Sequence, residues 1–466
     1  MSGASTESLT TETVASPPIH RLFVEILHEI FLLTLPRQHD GFYDVFNVAA
    51  GPWLVARVCS LWRRCSNHLL WCRMIVSPGR YNRRICKDPI SLYTTALSHT
   101  GNHYLDIKLN ESFSTDCPLA LKAELLDISM IHCRRWRNVV VFIPSPLSAR
   151  FLEVRGRLDL LSHITIFCQD DSDALNVFDD APMLTGVYIN VWHPRQSFPW
   201  SQLVSYSNSI DYGDDEATVA FLRIIQKAPS LRDLRIPYNA DPDNPATSRM
   251  AISPVTHANL RVLHAAEPNL LAALTLPALT ETKLGSPSDL DYPSSLLTEL
   301  LSLILRSRCS LTKLTLENVE MTRVVFDILD LAPQLDTLDI EFGESTPECD
   351  PFLQTLFQRL ACPSTDSKHA PFLAQLAHIR ICIMDTMVQQ PFRFMDSVFF
   401  NVVSSRWSSH ILKSVSIHIV APTPSPGWGL TVQHIKTLQR FKMEGLDIKI
   451  SVLHCAGNTS RRRHWV

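Results

Sequence analysis

The sequence predicts a chain of the α+β or α/β class: a small all-α unit of three short helices, followed by an irregular α/β solenoid. Three observations predict it. Apolar residues recur at helical spacing in residues 19–31 and again in 54–62. A motif of the form apolar-x-x-apolar-x-apolar recurs through the rest of the chain at intervals of roughly 23 to 36 residues. Amphipathic helical stretches lie between several copies of that motif, each handing over to it through a short break.

Residues 1–18 end in Pro17-Pro18 and are expected to be a disordered lead-in. A first helix is expected from about Arg21 to Leu35, where Pro36 ends it. Its apolar positions are Ile19, Leu22, Phe23, Ile26, Leu27, Ile30 and Phe31. Residues 37–52 read as a polar connection spotted with aromatics. A second helix is expected over Trp53–Cys65 and a third, short one around His68–Met74, with Ser77-Pro78-Gly79 closing the unit. Short helices with such stripes cannot bury them well alone and need a partner surface.

The strand motif follows as Tyr104/Ile107/Leu109, Trp136/Val139/Val141, Leu161/Ile164/Ile166 and Leu184/Val187/Ile189. It continues as Leu231/Leu234/Ile236, Leu260/Leu263/Ala265, Leu311/Leu314/Leu316 and Leu335/Leu338/Ile340. Leu376/Ile379/Ile381 and Leu412/Val415/Ile417 complete it, with weaker echoes at Leu279/Leu284 and Leu446/Ile448/Ile450. Three intervals are wider. The echo at Leu279 divides the one from Leu260 to Leu311; those from Leu184 to Leu231 and from Leu335 to Leu376 imply a long loop or an unrecognised unit. Ala217–Lys227, Ser294–Leu305 and Thr322–Leu331 are the interleaved helices. A helix, a break and a short strand repeated in this way suggest a degenerate leucine-rich-repeat-like solenoid over 79–456. A doubly wound α/β domain is the alternative. The strands are short for it, and none leads into a glycine-rich phosphate loop.

The composition points away from several functions. Of 466 residues, 45% are hydrophobic and 19% charged, so most of the chain should fold. The net charge of −3 gives no reason to expect nucleic acid or an anionic membrane as partner. The segment 457–466, with Arg461-Arg462-Arg463-His464, is expected to be a basic solvated tail. Residues 1–16 do not read as a secretory signal, and no apolar run reaches the roughly 18–20 residues of a membrane helix. A cytoplasmic or nuclear location is therefore expected. In that reducing setting the twelve scattered cysteines are expected as free thiols.

No catalytic or cofactor motif emerges. Only 14 glycines are present against 30 prolines, and GxGxxG, GxxxxGK[ST], GxSxG and HExxH are all missing. Cys65-x2-His68-x3-Cys72 has faint metal-ligand spacing but no further ligands nearby in sequence. Acidic runs at Asp170–Asp173, Asp179-Asp180 and Asp211–Glu216 read as solvated loops, and Trp192 and Trp428 as loop aromatics that either pack or anchor a partner. No catalytic residue, metal site or cofactor is assigned, and the chain is not expected to be an enzyme.

Leu22-Phe23-Val24-Glu25-Ile26-Leu27 through Ile30-Phe31, then Val58-Cys59-x-x-Trp62-Arg63, then Leu70-Trp71, resembles an F-box. The pattern departs at Phe23, where the family usually has proline, and in the long connection 37–52. Such insertions, and phrases such as Ala228-Pro229-Ser230-Leu231 and Arg308-Cys309-Ser310-Leu311, look like F-box proteins of mushroom-forming fungi. The resemblance covers about 55 residues within an F-box-like domain at 19–78. It implies a substrate receptor of an SCF-type ubiquitin ligase. The helices would dock on a Skp-family adaptor, and through it on a cullin–RING scaffold, while the solenoid would hold an unidentified substrate protein. By match to the motif, Leu22, Ile26, Leu27, Ile30, Phe31, Val58, Cys59, Trp62 and Trp71 are the candidates for the F-box core and adaptor interface. A scaffold that binds the same partners without promoting ubiquitin transfer is the second reading.

Overall fold

The computed structural model describes residues 18–35, 41–66, 68–77, 88–109, 117–168, 173–190, 197–208, 210–212, 215–236, 238–240, 253–285, 295–344, 349–361, 371–384, 393–421, 430–456 and 459–464. Of the disordered lead-in expected at 1–18, residues 1–17 lie outside them, as do Cys86, Cys362, Trp192 and Trp428, whereas Pro18 opens a 3-10 turn, Pro18–Arg21. The chain divides into two compact units, Met1–Met183 and Leu184–Val466. Both are mixed α/β and built on parallel strands.

Unit 1 begins with helix α1 (Val24–Leu33), strand β1 (Tyr43–Asp44), helices α2 (Pro52–Val58) and α3 (Ser60–Cys65) and strand β2 (Arg73–Val76). Helix α4 (Pro89–His99), strand β3 (Leu105–Leu109), helix α5 (Leu119–Ile131), strand β4 (Trp136–Ile143) and strand β5 (His163–Cys168) follow. All five strands pair in parallel in chain order. Asp88 caps α4 by accepting from Ser91 N at 2.9 Å, and Pro89 supplies the preset φ of its first turn.

Three expectations for residues 19–78 are corrected. The segment is not all-α. Phe42, Tyr43, Val45 and Phe46, read as part of a polar connection, are buried around β1. The helix expected over Trp53–Cys65 breaks at Cys59, whose backbone is fully extended (φ −161°, ψ 173°). The third helix is a single 3-10 turn, His68–Trp71, that runs straight into β2. Because β2 pairs with both β1 and β3, a domain boundary at 78 would cut through a continuous ladder.

Unit 2 repeats the arrangement with strands β6 (Gly186–Ile189), β7 (Ser205–Asn208), β8 (Asp233–Arg235), β9 (Val262–His264), β10 (Glu281–Gly285), β11 (Lys313–Glu317), β12 (Thr337–Glu344), β13 (His378–Met384), β14 (Ser414–Ala421) and β15 (Asp447–Ala456). Each pairs in parallel with the next. The register stacks one inward position into a continuous column: Val187, Tyr206, Leu234, Leu263, Thr282, Leu314, Leu338, Ile379, Val415 and Ile448. All ten are buried. Leu284, Leu316, Ile340, Ile381, Ile417 and Ile450 form a second such column. Side chains at equal positions in successive units thus pack on one another, which is what the repeating motif encodes.

Arginines near helix ends tie neighbouring segments together. In the helix Ser295–Ser307, Arg306 donates from Nη2 to the carbonyls of Leu271 and Leu274, each at 2.7 Å. Arg406, buried in the helix Ser397–Ser408, donates to Phe372 O at 2.9 Å and Leu373 O at 2.8 Å. Gly285 ends β10 at φ +99°, where a Cβ would stand 1.7 Å from Glu317 O, so no other residue fits there. The segment expected as a tail instead returns as an antiparallel strand, β16 (Thr459–His464), paired with residues 451–456 of β15.

Candidate functional site

The apolar stripes at the N-terminus divide into a core and a surface. Leu27 and Phe31 of α1 are fully buried, four residues apart on one helix face. Phe31 meets the half-buried Trp62 of α3 at 4.8 Å between ring centroids. Trp71 is the centre of an aromatic cluster: Tyr43 and Trp53 approach edge-on at 5.8 and 4.8 Å, and His99 stacks at 4.5 Å. Trp53 Nε1 donates to Val45 O at 3.0 Å, and Tyr43 OH donates to Trp71 O. These contacts hold the helices on the sheet and consume Leu27, Phe31 and Trp71 as core.

Other residues of the same stripes face solvent. Ile26 is 47% exposed, Val58 54% and Phe23 78%; Leu22, Val24, Leu32, Leu33 and Leu54 are exposed as well. On α1, Ile26, the half-buried Ile30 and Leu33 follow at helical spacing, with the exposed Glu25 and Glu29 beside them. On α2, Leu54 and Val58 lie one turn apart. α1 and α2 both pack on α3. Cys59 caps α3, its Sγ accepting from Trp62 N at 3.4 Å. Its extended backbone is what turns α3 away from α2. Phe23 occupies the cap position of α1 at φ −62°, the value that a proline ring enforces. The entry geometry that proline would give is therefore present with phenylalanine.

Nine candidates thus fall into three groups. Leu27, Phe31 and Trp71 are core; Ile30, Cys59 and Trp62 are half-buried; Leu22, Ile26 and Val58 are surface. Tyr43 and Trp53 belong to the same core and escaped the sequence reading. The run Phe42-Tyr43-Asp44-Val45-Phe46 was the signal for the first, in a segment dominated by turn residues.

Titratable groups here serve packing. Burial pushes the Cys72 thiol up to about 11, and burial with the neighbouring His68 lowers His99. His68 shares a 2.6 Å hydrogen bond with His99 O through Nδ1. Among the described residues no group of three or more His, Cys, Asp or Glu is arranged to hold a metal ion. The nearest approach to a catalytic grouping is in unit 2, where His378 Nδ1 lies 2.7 Å from Ser414 Oγ. Asp336 Oδ2 is 4.0 Å from His378 Nε2, beyond hydrogen-bond range, and Asp336 and His378 are both well exposed. Asp180 forms a solvated pair with Arg155 at 3.8 Å. The side chains of the other acidic runs, at 170–173 and 211–216, lie outside the described residues.

The sequence matches no protein-family model and no curated protein. Among the described residues no helix is long and apolar enough to cross a membrane.

Proposed function

We propose that this chain is the substrate-receptor subunit of an SCF-type (Skp–cullin–F-box) ubiquitin ligase. Residues 19–78 act as a variant F-box that docks on a Skp-family adaptor, and the leucine-rich-repeat-like solenoid beyond them holds a substrate protein. One observation carries the reading. Within a motif that resembles an F-box, Leu27 and Phe31 complete a core, while Ile26 and Val58 stand exposed on helices joined through α3. Exposed apolar side chains gathered on such helices favour a protein partner. The stacked columns of unit 2 support the solenoid, since each helix–strand unit buries its apolar face only against the next. The chain needs no active-site residues in this role. Holding a substrate near a transferring enzyme raises its effective concentration, to about the mM range for short links.

The test is capture of the adaptor by the full chain expressed in cells. The wild-type chain should recover a Skp-family adaptor and cullin, and Ile26→Asp with Val58→Asp should lose both while keeping its melting temperature. Adaptor recovery that is nil in the wild type, or equal in the variant, would sink the reading. A partner protein whose half-life is unchanged by Ile26→Asp with Val58→Asp, despite adaptor binding by the wild type, would favour a non-ligase scaffold.

A further inference from the structure

In unit 1 the strand face opposite the buried Met74, Ile107, Val139 and Ile164 carries a row of polar residues. Arg73 on β2, Asp106 on β3, Asn138 on β4 and His163 on β5 are successive register partners. The β3–β4 pairing slips by one residue after Leu105, which leaves Arg137 as an extra residue beside the row. Irregularities of this kind re-aim a side chain. Arg137 turns onto Asp106, donating from Nε to Oδ1 at 3.0 Å and from Nη2 to Oδ2 at 2.6 Å. The Tyr104 ring lies 3.5 Å from its Cζ. Arg73 Nε lies 3.7 Å from Asp106 Oδ2, and its guanidinium sits over the buried Phe42 ring at 4.9 Å.

The signs of charge are sorted by depth. The Asp106 side chain is 2% exposed, while those of Arg73 and Arg137 are 43% and 37% exposed and His163 is exposed. Asn138 and Ser162 complete the row, Ser162 Oγ lying 3.1 Å from His163 Nδ1. In the next row Lys108, over Phe42 at 4.7 Å, is balanced in sign by Asp44 on β1. The outer row therefore presents cationic and donor groups, already pinned by rings and by a hidden carboxylate. A pinned cation has given up the rotamer freedom that binding would otherwise cost.

We infer that this row is a docking strip for an extended acidic segment of a partner protein, read through Asp or Glu side chains at alternate positions. Charge complementarity selects the acidic segment. A single phosphate fits less well, because the Arg137 fork is already filled by both oxygens of Asp106. Arg73 Nε and Arg137 Nη2 stand 3.7 and 2.6 Å from the same Asp106 oxygen, and alternate residues of an extended chain, about 7 Å apart on one face, can address groups so spaced. The inference deepens the receptor reading and rests on it for the fate of the captured segment, but not for the capture.

The experiment titrates the full chain, with no adaptor present, against a short fluorescein-labelled peptide carrying glutamates at alternate positions. Binding followed by polarisation should saturate, weaken with salt and disappear when the glutamates become glutamines. Arg73→Gln should weaken it roughly threefold, Arg73→Gln with His163→Gln further, and Arg73→Lys should retain most of it, all with unchanged melting. Equal binding of the glutamate and glutamine peptides overturns the inference, as does a double variant that binds like wild type. A phosphoserine peptide that binds where the glutamate peptide does not overturns it too. The adaptor-docking variant Ile26→Asp should bind the peptide normally, so failure of one reading leaves the other measurable.

Discussion

Adjacent residues of α1 give the sharpest test of the N-terminal unit, because Ile26 and Leu27 are chemically alike yet one faces solvent and the other the core. Leu27 is 1% exposed. Leu27→Ala removes buried methyl groups and leaves a cavity, at a cost of about 2–5 kcal/mol. For a unit of 183 residues, each kcal/mol moves the melting temperature by roughly 2–4 °C, so a loss near 10 °C is expected. Ile26 keeps about half its surface in water, so Ile26→Ala should cost under about 1 kcal/mol and move the melt by no more than a few degrees. Adaptor affinity should respond in the reverse order. Truncating a central interface anchor costs on the order of 1–2 kcal/mol, about five- to thirtyfold in Kd. Leu27→Ala, measured well below its melt, should bind nearly as wild type. Calorimetry and titration with the purified adaptor on both variants decide it. Equal melting shifts would refute the assigned helix facing, and unchanged affinity in Ile26→Ala would refute the docking face.

Phe23→Pro should fold and gain about 0.5–1 kcal/mol, because Phe23 already holds proline's φ and the unfolded chain would lose freedom; a destabilised variant in urea melts would contradict that geometry. Arg306→Met should cost unit 2 about 2 kcal/mol by releasing the carbonyls of Leu271 and Leu274, and a change within 0.5 kcal/mol in denaturant titrations would show the clamp to be idle. Burial first, and then Arg235, lowers His264 from 6.5 to about 4. A depressed histidine favours the neutral folded form, so its contribution is complete above pH 6.5 and is lost as pH falls towards 4. Discounted for its partial contact with water, the loss from pH 7 to pH 5 should be about 1 kcal/mol, and it should vanish in His264→Gln; equal pH slopes for the two proteins would remove His264 as its source.

The strands were legible because their inward residues repeat in kind. Ile107, Val139, Ile164, Val187, Leu234, Leu263, Leu314, Leu338, Ile379 and Val415 all lie in parallel strands of the two units, and the echoes at Leu284 and Ile448 do as well. Of the two wide intervals, Leu184 to Leu231 holds the unrecognised strand β7. It keeps the frame with Leu203 and Tyr206 but ends it on Asn208, a buried amide that donates to the Tyr206 hydroxyl at 3.0 Å. A polar residue in an apolar slot hid it. The interval from Leu335 to Leu376 holds the helix Cys349–Ala361. At the N-terminus, α1 is apolar on both flanks, so its period announced a helix without saying which flank is core. The tertiary contact of Phe31 with Trp62 decides that. Strand β2 was lost for a related reason: Leu69, Leu70, Met74 and Ile75 satisfy a helical period as well as a turn followed by a strand.

Trp71 and Arg73 connect the two proposed surfaces of unit 1. Trp71 anchors α2 through Trp53 and packs on Tyr43 of β1, and two residues later Arg73 opens the cationic row on the strand face. No loop intervenes, and β2 is paired on both edges, so the link has no slack. A receptor that works by proximity loses effective concentration as the tether between its two partners lengthens or loosens. An adaptor held on α1 and α2 and an acidic segment held by Arg73 and Arg137 would be fixed relative to one another by the same sheet. The receptor reading therefore makes a demand on Trp71 beyond packing. Trp71→Phe, which keeps an aromatic core but shrinks it, should loosen both surfaces together, whereas Ile26→Asp and Arg73→Gln should each silence one. If Trp71→Phe lowers stability yet leaves both affinities intact, the two surfaces are independent features of the unit and the rigid-tether argument fails.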